Sequence, residues 1–98
     1  MRTDDDSTIL VVTGEIDIAS IGDFQAALDS ATSDATSDRG GIVVDLSSTE
    51  FIDSSGIGAL YENRERLKAV LCAPESEVAR ALTLSGLDML VLIDSPRP

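Results

Sequence analysis

Ninety-eight residues suffice for one small domain with a single core and little margin, and hydrophobic residues at 43% set the chain apart from disordered sequences. Eighteen acidic residues against seven basic ones give a formal net charge of -11, which repels a nucleic-acid backbone over most of the surface, and two Phe and one Tyr leave no platform for stacking bases. There is no histidine and the one cysteine is Cys72, so a Ser-His nucleophile, a His-ligated zinc, an internal disulfide and a thiolate-rich metal site are all excluded.

In chain order, residues 1–7 form an acidic head around Asp4-Asp5-Asp6, too charged to be read as an edge strand. Residues 8–13 are rich in β-branched side chains and predict a strand punctuated by Gly14. Ile21, Phe24, Leu28 and Ala31 then share one helical face, with Ser20 and Asp23 spaced as a capping box. Residues 32–41, rich in Ser, Asp, Thr and Gly, predict a loop. Gly41-Ile42-Val43-Val44-Asp45-Leu46 reads as a buried strand, and the polar Ser47-Ser48-Thr49-Glu50 separates it from Phe51-Ile52-Asp53-Ser54-Ser55-Gly56-Ile57-Gly58.

From within that octet onward, Ile57, Leu60, Tyr61, Leu67 and Leu71 recur at helical spacing, the first three as core or half-core positions. The apolar pattern runs into Val70-Leu71-Cys72-Ala73 with no turn, whereas connections from helix to strand commonly take about two to six residues. The helix is therefore predicted to stop near Arg66, leaving Cys72 on a short central strand as a poorly reactive small hydrophobe. Arg64, Arg66 and Lys68, the one basic cluster, complement the negative end of this helix.

After Pro74, Ser76 is placed to cap a third helix carrying Val78, Ala81 and Leu82, and Gly86 to end it in a left-handed conformation. Residues 89–93 predict the last strand and 95–98 a frayed tail. Helices interposed between strands imply parallel crossovers, hence an α/β fold with a mixed, mostly parallel sheet of about four strands and about three helices. Residues 1–98 read as one domain without linker or repeat. With no run of eighteen apolar residues and no signal-peptide pattern, a soluble, cytoplasmic protein without direct membrane insertion is expected.

The octet carries the chemistry. It places two hydroxyls and a carboxylate where an apolar strand gives way to a helix, and a helix N-terminus offers unpaired N–H groups and the positive end of a dipole. Asp53 is suited to be the N-cap. Ser54 and Ser55 are positioned to carry added charge, with Ser54 the more natural structural hydrogen-bonder. Gly56 leaves the backbone open to close approach. Gly56-Ile57-Gly58 opens a dinucleotide-like G-x-G-x-x-G, but Tyr61 stands at the third glycine position. Glu15, Asp17, Asp45 and Asp53 are oxygen donors of the kind magnesium takes, though such residues more ordinarily cap turns and helices. No cofactor, metal site or catalytic residue is assigned.

The octet resembles the Asp-Ser-Ser/Thr-Gly loop of the STAS domain, shared by bacterial anti-sigma factor antagonists and the cytoplasmic tails of sulfate transporters. Gly14-Glu15-Ile16-Asp17 resembles the turn after that family's early strand, and Leu84-Ser85-Gly86-Leu87 the end of its third helix, so the likeness spans residues 9–93. The resemblance implies a small STAS-like sandwich, here without the extra edge strand at the start and without a clear fourth helix at the end. It implies a non-enzymatic anti-sigma factor antagonist that binds a kinase-type anti-sigma factor. Ser55, or alternatively Ser54, would be the phosphate acceptor, and Asp17, Asp53, Ser54, Ser55, Gly56 and Ile57 the partner surface. A serine phosphatase acting on the phosphorylated form would be the other partner. Two other readings are a small-anion or nucleotide sensor using the same helix N-terminus, and a subunit of a transport or stress-signalling assembly in which Ser55 is silent.

Overall fold

The longest strand, β3 (Ile42–Ile52), is the axis on which the domain is built. In the computed structural model, which describes residues 1–3, 9–34 and 41–95, it is the third of five strands in the order β1-β2-β3-β4-β5. Strands β2 (Ile9–Ile16), β4 (Leu67–Leu71) and β5 (Ile93–Asp94) run parallel to their neighbours, and β1 (Arg2–Thr3) is antiparallel to β2. The expected mixed, mostly parallel sheet is present. The edge strand judged too acidic to form exists as these two residues, because the pairing runs through Arg2 and Thr3, ahead of Asp4-Asp5-Asp6.

Three helices connect the parallel strands: α1 (Ile21–Asp34), α2 (Ser54–Glu62) and α3 (Glu77–Leu84). Because the strands are ordered sequentially, right-handed crossovers put all three on one face of the sheet. Burial follows that geometry. Leu10, Val12, Val44, Leu46 and Val70 are fully buried, while Ile9, Val11, Val43 and Leu71 between them are half-buried. From the helices, Phe24, Leu28 and Ala31 of α1, Ala59 and Leu60 of α2, and Val78 and Leu82 of α3 complete the core, with Ile21 packed at its margin. No α-helix follows β5 among the described residues.

Polar Ser47-Ser48-Thr49-Glu50 does not interrupt β3, contrary to expectation. Between Asp45 and Phe51 the strand carries two more residues than the facing stretch of β2, giving register shifts at Val11/Thr13 and at Gly14/Glu15. Polar side chains are bonded at this irregularity. Buried Thr49 donates through Oγ1 to the Val12 carbonyl at 2.9 Å, and Asp45 Oδ1 accepts from the Ser47 backbone N–H at 2.9 Å and its hydroxyl at 2.6 Å. Gly14, with φ +82°, belongs to this irregularity and does not end β2, which continues to Ile16.

The helix boundaries divide in the same way. After α2, a 3-10 turn at Arg64–Arg66 leads directly into β4, so the helical path ends at Arg66 as the missing turn required, and Leu67 and Leu71 belong to the strand. Cys72 lies just past β4, 3% exposed, and burial raises its thiol pKa. Arg64 donates to the Tyr61 carbonyl at 3.0 Å and lies 4.5 Å over the Tyr61 ring, which is exposed and not core. Ser76 caps α3 by accepting from the Ala79 N–H at 3.1 Å, and Gly86 is left-handed at φ +82°. By contrast α1 runs past the predicted loop start to Asp34, residues 35–40 lying outside the described ones. The last strand is only Ile93–Asp94, because Leu87–Met89 form a 3-10 turn and Val91 N–H bonds back to Leu87.

Candidate functional site

Parallel pairing of β2 with β3 brings Ile16 and Ile52 side by side, so the two loops that follow leave the sheet at one point of its carboxyl edge. Asp53 joins them. Its N–H donates to the Ile16 carbonyl at 3.0 Å, and its extended backbone turns the side chain onto the first turn of α2. Oδ1 accepts from Ser55 N–H at 2.9 Å, Gly56 N–H at 3.3 Å and the Ser55 hydroxyl at 2.5 Å. Oδ2 reaches into the other loop and accepts from Ile18 N–H at 3.1 Å. The Ser55 hydroxyl above all, with the N–H groups of Gly56, Ser55 and Ile18, outweighs desolvation and holds this carboxyl below its ordinary pKa.

The companion loop is self-contained. Asp17 Oδ1 accepts from Ala19 N–H and Ser20 N–H, each at 3.1 Å, and Asp17 N–H donates to Ser20 Oγ at 3.0 Å. The single Ser20 proton has the Glu15 carbonyl at 3.0 Å and Asp17 Oδ1 at 3.1 Å as acceptors. Ser20 therefore closes this loop and makes no capping bond to Asp23. The aspartate and the serine just ahead of α1 serve the turn first.

Of the residues singled out from sequence, Asp53, Ser54, Ser55, Gly56 and Ile57 are consecutive here, and Asp17 stands in the adjoining loop one residue from the amide that Asp53 holds. Their exposures differ. Ser54 is exposed and its hydroxyl has no hydrogen bond among the described residues, Ser55 is half-buried on Asp53, and Ile57 is half-buried against the core. Gly56 is buried. A Cβ there would come within 2.6 Å of Ile16 and 2.7 Å of Ile52, so its missing side chain serves helix–strand packing. Missed from the sequence was Ile18, 80% exposed beside the cap. Its signal was a large aliphatic residue directly after Gly14-Glu15-Ile16-Asp17, where a turn calls for polar residues.

Glu15, Asp17, Asp45 and Asp53 do not converge: among the described residues no group of three or more Asp, Glu, Cys or His side chains is placed to hold a metal ion. A shallow groove of about 580 Å³ is lined by Glu75, Ser76, Ala79, Arg80, Thr83 and Leu84, all at or on α3 and none from the Asp53 loop. Among the described residues no helix is long and apolar enough to cross a membrane.

A singly wound α/β layer with an Asp-Ser-Ser-Gly cap at the β3–α2 junction defines a class, and comparison with known proteins agrees. A family model described as the STAS domain matches residues 1–96, and the chain belongs to that family. Among solved structures, an anti-sigma factor antagonist from Mycobacterium paratuberculosis superposes with a TM-score of 0.77 at 26% identity, over 91% of this chain and 76% of that one. A Thermotoga maritima protein described as a candidate anti-sigma factor antagonist gives 0.70 at 21% identity, over 97% and 84%. The anti-sigma factor antagonist SpoIIAA, in its unphosphorylated form, gives 0.59 at 17% identity, over 91% and 79%. No curated protein sequence gives a significant match.

Proposed function

We propose that this chain is an anti-sigma factor antagonist that acts by binding, in the cytoplasm, and is switched off by phosphorylation of Ser55. Its partner would be an anti-sigma factor of the serine-kinase type, and a serine phosphatase would restore the active form. One observation supports the reading most directly: within a STAS domain, the Ser55 hydroxyl donates to Asp53 at 2.5 Å at the N-terminus of α2. The M. paratuberculosis structure is similar in fold and, at 26% identity, in sequence.

The chemistry follows from that bond. Ser55 Oγ attacks the γ-phosphorus of ATP held by the kinase, the new O–P bond forms as the bond to the ADP oxygen breaks, and the hydroxyl proton leaves to a base of the kinase. Asp53 is unsuited to keep that proton, because the N–H groups of Ser55, Gly56 and Ile18 that it accepts from favour its ionised form. It directs the hydroxyl instead, and phosphoryl transfer draws mostly on such positioning. Ser54 lacks this partner and is the lesser candidate.

The added phosphate brings about −1.5 to −2 charge at neutral pH. At its own helix N-terminus that charge is favourable, so the fold is retained. At an interface it adds to Asp53, Asp17 and a net charge of -11, and burying it without cationic partners is costly. The test is incubation with ATP and a kinase-type anti-sigma factor, followed by peptide mass mapping. Phosphate on Ser55 in the wild type and none in Ser55→Ala is the expected result. Uptake confined to Ser54 would move the acceptor by one residue, and no uptake with any such kinase would favour a silent Ser55.

A further inference from the structure

Asp53 is bonded to two different loops by its two carboxylate oxygens, and only one of them touches the phosphate acceptor. Oδ1 takes Ser55 and Gly56, while Oδ2 takes the Ile18 amide 35 residues away in sequence. Ile18 is the most exposed large apolar residue of this region, 80% accessible. We infer that Asp53 is a relay: it fixes Ile18 as an apolar anchor for the anti-sigma factor while Ser55 is a free hydroxyl, and releases it when Ser55 carries phosphate. This deepens the proposed function and rests on it for the identity of the partner.

The reasoning is a competition for the same donors. Phosphorylation removes the hydroxyl proton that Oδ1 accepts and sets a dianion beside the carboxylate, where like charges repel. Both anions want the N–H groups of Ser55 and Gly56, and a phosphate with three acceptor oxygens and greater charge is the better ligand for a helix N-terminus. The carboxylate is rigid and planar, so displacing Oδ1 carries Oδ2 away from Ile18. The side chains of Asp17 and Ser20 make their bonds within residues 15–20, so that loop keeps its own shape. What is lost is the link that fixes Ile18 against α2. A helix cap thus carries the chemical state of Ser55 to a neighbouring hydrophobic contact.

The test has two arms. In the first, ¹⁵N-labelled protein is made with phosphoserine encoded at position 55, without any kinase, and compared with the unmodified protein by NMR. The Ile18 amide is expected to move upfield and exchange its proton about tenfold faster, as a bonded amide does on opening, while amides of Leu10 and Val44 stay unchanged. An Ile18 amide that keeps its shift and exchange rate, while those of Ser55 and Gly56 move, overturns the relay. In the second arm, Ile18→Ala is expected to keep its melting temperature, since the side chain is exposed, and to bind a kinase-type anti-sigma factor about tenfold more weakly, as an apolar anchor does. Unchanged affinity overturns the anchor. If the wild type binds no such factor, the proposed function fails and the anchor with it, but the first arm still decides whether Asp53 couples Ser55 to Ile18.

Discussion

Two regions of this domain solve the problem of joining helices to a parallel sheet in opposite ways. Where β2 and β3 end, Asp17, Ser20 and Asp53 take up the free N–H groups, and Gly56 lets α2 settle onto Ile16 and Ile52. In the segment from Leu84 to Asp94 the backbone bonds mainly to itself through a 3-10 turn and the left-handed Gly86, β5 is two residues long, and Leu84, Met89, Leu90 and Leu92 are exposed. Side-chain carboxylates and hydroxyls fix a loop in one geometry, and the proposed presentation of the Ser55 hydroxyl to another protein would need that. A segment held through its backbone needs only its anchors buried, here Leu87 and Val91, and leaves its other side chains free to vary.

The largest effect should come from breaking the packing under the site. Gly56→Val sets a branched side chain within 2.6–2.7 Å of buried Ile16 and Ile52, and α2 must lift to admit it. Overpacking of this kind costs about 3 kcal/mol, a large share of the stability of a domain this size. Urea denaturation checks it. A midpoint within error of the wild type would mean that α2 does not pack on the sheet as described.

How much of each region was legible in the sequence follows from the same contrast. The octet was readable because a cap works through local spacing: Asp53, Ser55 and Gly56 lie within three residues, and strand and helix patterns flank them. The end of α2 was readable because β4 needed residues that the helical pattern would otherwise consume. The bond from Asp53 to Ile18 was not, since it depends on β2 and β3 pairing in one register across 35 residues. Nor was the continuation of β3 through Ser47-Ser48-Thr49-Glu50. Those residues look like a turn by type, and only pairing across to β2, Ser48 with Thr13 and Thr49 with Gly14, supported by the bond from Thr49 Oγ1 to the Val12 carbonyl, makes them strand residues. Residues 89–92 were misread for a related reason: a run of Met, Leu and Val satisfies a strand pattern equally well when it is an apolar 3-10 turn and its exit.

A smaller effect should sharpen the comparison by pH. The folded-state pKa of Asp53 lies below its unfolded value of about 3.9, so its contribution is complete well above that pH and is lost as pH falls through the folded pKa. Asp53→Asn removes that dependence while keeping an oxygen able to accept at the cap. The wild type is therefore expected to exceed Asp53→Asn in urea midpoint at pH 7 and 5, with the gap narrowing at pH 4 and 3. Other carboxylates titrate in both proteins and cancel in the difference. A gap that stays constant down to pH 3 would show that the charge of Asp53 is not held by the N–H and hydroxyl donors of Ser55, Gly56 and Ile18.

The smallest effect is expected in the second region. Leu92 is a large aliphatic residue ahead of the last strand, and by residue type alone its replacement should hurt. Its fold contribution comes from the main chain: its carbonyl accepts from Val70 N–H at 2.8 Å, while its side chain is 62% exposed. Leu92→Ser keeps the carbonyl, so the change in stability should stay within about 0.5 kcal/mol, as for surface substitutions away from caps and core. The measurement is the urea midpoint at two protein concentrations tenfold apart. A loss above about 1 kcal/mol that grows with concentration would mean the Leu92 side chain is covered in solution by a second copy of the chain, because only association makes apparent stability depend on concentration in this way.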